Sequence, residues 1–302
     1  MADYKVLFVD DEDYIRSMLA AYFKDKFEVM DTADCAAAAL EMLGRGKYDL
    51  VVSDINMPGM DGPDFLTEVQ SRHPDVKRAL LTSSNIDEYV TFARSGAVSS
   101  IIPKTVPFNF GEIEDIIMGL LTGDIFGLER YLRRGEGAII EKYCIKSSSE
   151  ARTVRDAIVA QVEEKFGNSA DTKIVLDEIL MNAIYHAPTR VGGVEKYTQY
   201  TEVSLEPAEY VFVELGCDSE KYGIAVLDKC GALTKDIVLD KLHRQITGEG
   251  YMDESGRGLH MCRLFADRLV INIERNKRTE VVIMNYIGGK YRGYKPLYIN
   301  EV

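Results

Sequence analysis

Between residues 5 and 121 short apolar runs alternate with amphipathic stretches. The runs are KVLFV (5–9), DLVVS (49–53), RALLTS (78–83) and SSIIP (99–103). Between the first two, Ile15, Met18, Leu19 and Tyr22 recur at helical spacing, and 62–72 and 86–95 carry the same period. Strands that are apolar on both faces and alternate with helices predict a parallel sheet covered on either side, with ligands at the carboxyl ends of its strands.

From 112 to 134 the pattern turns helical, then Gly135 and Gly137 interrupt it. This predicts a first domain over 1–122, a helical linker over 123–140 and a second domain over 141–302. The second part reads as a strand (141–147), two helices (149–166 and 171–187), a glycine-containing loop (188–200) and strands near 201–205, 209–216 and 222–228. A helix over 234–246, a polar glycine-rich loop (247–258), a short helix (259–267) and strands at 269–274 and 279–285 complete it. An antiparallel sheet with helices on one face, an α+β sandwich, fits this order.

At 302 residues the chain is long enough for two cores. Its net charge of −13, with no run of Lys and Arg, disfavours nucleic acid and anionic membrane as partners. The start MADYKVLFVDDE is no secretory leader and no stretch is long enough to span a bilayer, so a cytoplasmic location is expected. Five cysteines without metal-ligand spacing point to reduced thiols.

Asp10 and Asp11 follow the first predicted strand and Asp54 ends a later one, so the topology gathers three carboxylates at one rim. Repulsion among them calls for a cation, and oxygen ligands suit Mg²⁺. A nucleophilic carboxylate, a metal and a fixed ammonium are what phosphoryl transfer needs. Lys104 lies just past the last strand to supply the ammonium, and Thr82 offers a hydroxyl. With VDDE, SDINMPGMDG, LTS and PK at these spacings, residues 1–121 resemble the response regulator receiver family, a doubly wound five-stranded parallel α/β fold. The resemblance implies that Asp54 is the phosphoacceptor, served by an upstream sensor histidine kinase. It also implies that Asp10, Asp11, Asp54 and the carbonyl of Asn56 hold Mg²⁺, and that Thr82 and Lys104 read the phosphoryl group. Two positions depart from the family pattern: Ile101 stands where an aromatic is usual, and Thr105 where a proline is usual. Coupling to the output domain is therefore expected to use another surface.

In TKIVLDEILMNAIYHA, Glu178, Asn182 and Tyr185 or His186 share a helix face. Asn182 offers an oxygen to Mg²⁺, and Glu178 a base or orienting carboxylate. Asp228 in AVLDKCGAL ends a strand before a tight turn, placed to accept from an exocyclic amine. SGRGLHM is a glycine turn opening a helix, suited to phosphate. In this order the segments resemble the Bergerat-type (GHKL) ATP-binding domain over 141–287, nearest the anti-sigma-factor serine-kinase branch. The resemblance implies ATP bound by Glu178, Asn182, Asp228, Gly231, Gly256 and Gly258, with Glu178 catalytic. Lys229, Cys230 and Ala232 change the first glycine turn, and His260 replaces the last glycine of the second.

His73, His186, His243 and His260 are the only histidines, and none carries the motif of an autophosphorylating kinase. Three readings follow: a receiver-controlled ATP-binding protein acting as a kinase on a downstream regulatory protein in trans, a nucleotide-dependent adaptor without turnover that grips or releases a sigma-factor regulator, or a second domain that binds no nucleotide and serves only as a dimerisation scaffold. A homodimer through the apolar residues near 112–134 is a further option.

Overall fold

The computed structural model describes residues 2–82, 98, 100–104, 108–132, 139–167, 170–190, 193–247, 257–288 and 297–302. The chain divides into two compact units, Met1–Ile125 and Phe126–Val302.

In the N-terminal unit five strands pair in the order β2-β1-β3-β4-β5, all parallel. They are β1 (Ala2–Val9), β2 (Phe27–Ala33), β3 (Leu50–Asp54), β4 (Lys77–Thr82) and β5 (Ser100–Pro103). Consecutive residues Val6, Leu7, Phe8 and Val9 are all at most 1% exposed, as expected of a strand covered on both faces. The described helices are α1 (Asp13–Phe23), α2 (Ala36–Arg45), α3 (Gly62–Arg72) and α4 (Phe110–Thr122). Asp61 caps α3 by accepting from the Asp64 N–H, Pro63 occupies its first turn, and Asn109 caps α4 in the same way. The helix expected at 86–95, and Thr105, lie outside the described residues.

The helix expected to link the domains is not continuous. α4 stops at Thr122 because Gly123 takes a left-handed conformation (φ +76°), and Gly127 (φ +107°) reverses the chain again. The segment then forms one turn of 3₁₀ helix, Leu128–Arg130, packed on the C-terminal sheet.

That sheet has six strands in the order β11-β9-β10-β8-β7-β6. They are β6 (Ile139–Ile145), β7 (Val211–Cys217), β8 (Lys221–Asp228), β9 (Arg268–Glu274), β10 (Arg278–Tyr286) and β11 (Leu297–Glu301). The antiparallel pairing expected from the sequence holds for β6 to β10, but β11 adds a parallel edge beside β9, so the sheet is mixed. Residues 201–205 form no strand; they make an isolated bridge at Ser204 to Ser147. The helices are α5 (Ser148–Phe166), α6 (Ala170–Met181), α7 (Lys235–Thr247) and α8 (Arg257–Phe265), with α6 packed between α5 and α8. α6 runs into a turn of π-helix over Asn182–His186, a widening that recurs at functional sites.

Candidate functional site

In the N-terminal unit the parallel register aligns the strand ends. Val9 pairs with Ser53, Asp54 with Leu81 and Thr82 with Pro103, which brings Asp10, Asp54, Thr82 and Lys104 to one rim. Asp10 (1% exposed), Asp54 (7%) and Thr82 (4%) are buried there. Lys104 Nζ bridges Asp10 Oδ2 at 2.8 Å and Asp54 Oδ1 at 2.6 Å. The backbone fixes each acid: Glu12 N–H donates to Asp10 Oδ1 (3.0 Å) and Asn56 N–H to Asp54 Oδ2 (3.0 Å). Arg16 holds the turn by donating to the carbonyls of Asp10 and Asp11. Gly62 admits α3 to this rim, since a Cβ there would collide with the Asp54 carbonyl.

Burial pushes the Asp54 carboxyl above its ordinary pKa while Lys104 pulls it back. Burial alone would lower Lys104, but its bonds to Asp10 and Asp54 prevail and hold the ammonium above its usual value. Asp11 is exposed, and no three acidic, His or Cys side chains converge as a metal cluster among the described residues. The two buried carboxylates face one ammonium instead. Ile101, 1% exposed, is part of the core.

In the C-terminal unit a cavity of about 310 Å³ is lined by Asn182, Asp228 and Gly258, three of the residues singled out from the sequence. Gly231 has φ +59° and lies against the backbone of Lys277 and Arg278, so it serves the turn that carries Asp228. Asp228 Oδ1 accepts from Cys230 N–H (2.9 Å) and Gly231 N–H (3.0 Å), and burial raises its pKa to about 6. Glu178 is not among the lining residues. Its carboxylate lies beneath Gly258, where an added Cβ would stand 2.5 Å from Oε2, and burial raises its pKa. Gly256 lies outside the described residues.

Three features of the cavity escaped the sequence reading. Thr279 pairs with Asp228 across β10 and β8 and lines the same cavity at 3% exposure, its hydroxyl facing the Asp228 carboxyl and favouring its charged form. His186 Nδ1 meets Glu195 Oε1 at 2.5 Å, and its Nε2 meets Gln199 at 2.7 Å, so the loop after α6 is latched down as a cavity wall. Lys241 of α7 lines the cavity as well. Strand alternation signals neither the pairing of Thr279 with Asp228 nor the place of Lys241, and although His186 shares the helix face of Asn182, its latch to Glu195 and Gln199 depends on the path of the loop.

Residues 6–117 match the response regulator receiver domain family. The response regulator protein FleR of Pseudomonas aeruginosa is 32% identical over 191 residues, 62% of this chain and 37% of that protein. The sensor kinase CckA of Brucella abortus is 30% identical over 118 residues, 38% of this chain and 12% of that protein. The chain thus spans little more than a third of FleR and an eighth of CckA. A solved structure of the response regulator TrrA from Thermotoga maritima, in complex with Mg²⁺ and BeF, is similar at 32% identity with a TM-score of 0.35, covering 38% of this chain and 96% of that one. The chemotaxis protein CheY of Halobacterium salinarum is 30% identical over 118 residues, 39% of this chain and 97% of its own length. On that near-complete coverage of CheY and the match of residues 6–117, the chain belongs, through its N-terminal unit, to the response regulator receiver family.

Proposed function

We propose that the chain is a two-component response regulator in which Asp54 takes a phosphoryl group from an upstream sensor histidine kinase, and in which the C-terminal unit is a GHKL-type ATP-binding output domain. Asp54 is the nucleophile, and Thr82 and Lys104 receive the transferred oxygens. The candidate ligands at the rim are all oxygens, which fits Mg²⁺ held by Asp10, Asp11, Asp54 and the Asn56 carbonyl. The ion would supply positive charge to the phosphoryl oxygens. Lys104, already bonded to both acids, supplies a second cation that stays in place through the transfer.

The observation that carries the second half is the cavity floor. A buried carboxyl and a buried hydroxyl stand side by side at Asp228 and Thr279, in the cavity that Asn182 and Gly258 also line. Such a pair matches a ligand edge that presents an amine donor beside a ring acceptor, as adenine does. Asn182 would hold Mg²⁺ with the phosphates. Calorimetric titration of the full chain with ATP and Mg²⁺ tests this reading: saturable heat that Asp228→Asn weakens is expected, and no heat at millimolar ATP refutes it.

Whether ATP is turned over is a separate matter. With Glu178 in the cavity wall's second layer beneath Gly258, binding without transfer gains support, the output then being a nucleotide-dependent adaptor that grips or releases a downstream regulatory protein. The alternative is a kinase acting in trans with Glu178 as base. Labelled ATP with partner proteins separates them: transfer that Glu178→Gln abolishes makes it a kinase, and stable binding without product makes it an adaptor.

A further inference from the structure

Side chains alternate across a strand, so the two faces of one strand pair carry different residues. On β8 and β10, Asp228 and Thr279 line the cavity. Glu280 follows Thr279 directly and points to the opposite face, where it meets the segment 126–132. Gly127 N–H donates to both oxygens of Glu280, at 3.0 and 3.1 Å, and Leu128 N–H donates to Glu214 Oε2 at 3.3 Å. Leu128 is fully buried, and its seat is shaped by Gly223 of β8, where a Cβ would stand 2.8 Å from Leu128 Cδ1.

This is a built seat for one stretch of backbone. Two carboxylates receive consecutive N–H groups, a glycine on the strand makes room for a leucine, and φ +107° at Gly127 sets the reversal that presents both N–H groups. We propose that residues 126–132 form a regulatory strap whose seating on this face sets the geometry of the β8–β10 pair, so that strap release and ligand binding at the cavity on the other face are thermodynamically linked. The sheet is one residue thick, and close-packed interiors shift between discrete arrangements rather than deforming freely. A displacement at Glu280 therefore reaches Thr279 through one peptide bond and Asp228 through the ladder that pairs them. In chain order the strap is the first segment after the receiver unit.

For its ligand the inference rests on the nucleotide reading, and the experiment separates the two. Hydrogen exchange on the full chain is compared between wild type and the variants Leu128→Ala and Glu280→Gln, without ligand. Loosening the strap is expected to speed exchange at 226–228 and 279–281 by about tenfold or more. Unchanged rates there in both variants overturn the proposal. Should Leu128→Ala lose its cooperative melting, Glu280→Gln decides alone. ATP titration is then run on the same proteins, with a shift in Kd of about fivefold or more expected. If wild type binds ATP and neither variant shifts its Kd, the linkage is overturned. If wild type gives no binding, the nucleotide reading falls and the exchange rates still decide the strap.

Discussion

At Gly62 a single missing methyl decides how closely α3 approaches Asp54. The Cβ of any other residue would meet the Asp54 carbonyl, which is backbone and cannot swing aside. Gly62→Ala is expected to destabilise the receiver unit by about 1–3 kcal/mol. Gly44 in α2 has open space around its Cα, so Gly44→Ala is expected to be neutral or to stabilise by up to about 1 kcal/mol. Thermal melts of the two variants beside wild type give the comparison, and equal effects would refute the contact. A second residue-scale test concerns Thr279. Its buried hydroxyl meets no protein partner in ordinary hydrogen-bond geometry among the described residues and faces the Asp228 carboxyl, so removing it costs the fold little. Thr279→Val is therefore expected to melt near wild type while weakening ATP binding by about tenfold, some 1.4 kcal/mol. Calorimetry and melting on the same sample check both halves.

The strap and the strands beneath it form the next level, and here titration has a sign. Glu280 on β10 is 2% exposed, and burial raises its pKa from 4.5 to about 7, against the bonds from Asn272 and Gly127 that favour the charged form. Glu214 on β7 and Glu129 in the 3₁₀ turn push it up as well. Lys142 on β6 is engaged with Glu214 at 2.7 Å, and Arg278 lies over the Phe126 ring at 3.9 Å, which leaves Glu280 with neutral donors. A carboxyl raised in the folded state holds its proton there and loses it on unfolding, so folding is favoured below about 4.5 and that advantage drains away as pH rises through about 7. Between pH 5.5 and 8 the C-terminal unit is expected to lose on the order of 1–2 kcal/mol, and Glu280→Gln to lose visibly less. Calorimetric melts across that range decide it; parallel slopes for both proteins would dismiss Glu280 as the source.

The same elements show what the sequence discloses. Asp10, Asp54, Thr82 and Lys104 each stand at the end of an apolar run, and a parallel sheet gathers run ends, so the whole rim was legible before any coordinates. Asn182 and Asp228 were legible on other grounds, one from helix spacing and one from a strand end before a tight turn. Thr279 was not: it lies in an ordinary alternating strand, and only pairing with a residue 51 positions earlier makes its hydroxyl part of a site. The strap departs from the expected helix because Leu128 seats on the sheet at Gly223, while Gly123 and Gly127 take conformations that end a helix. Glu178 shares a helix face with Asn182 as expected, yet the approach of Gly258 covers it, a consequence of α8 packing on α6 that spacing alone does not contain.

For the whole molecule, the proposed phosphoacceptor and nucleotide sites would make one thermodynamic system. If phosphorylation of Asp54 favours one arrangement of the chain and ATP favours one as well, each must change the affinity for the other by the same factor. The receiver's side of this coupling does not pass through a rotating aromatic, because Ile101 is aliphatic and fixed in the core. The proposed path is the strap, whose first residue follows the last of the receiver unit in the chain. Beryllofluoride with Mg²⁺, acting as the phosphoryl mimic, is expected to change the Kd for ATP by about 5-fold or more in wild type. ATP is expected to change the affinity for the mimic equally. Asp54→Ala should abolish mimic binding and leave ATP affinity at the value of the unmodified protein. Glu280→Gln should keep mimic binding while the coupling factor falls toward one, because the strap no longer distinguishes the two states. Titrating ATP with and without the mimic in these three proteins gives every quantity needed, and one common ATP affinity throughout would mean that the two sites share a chain without sharing a signal.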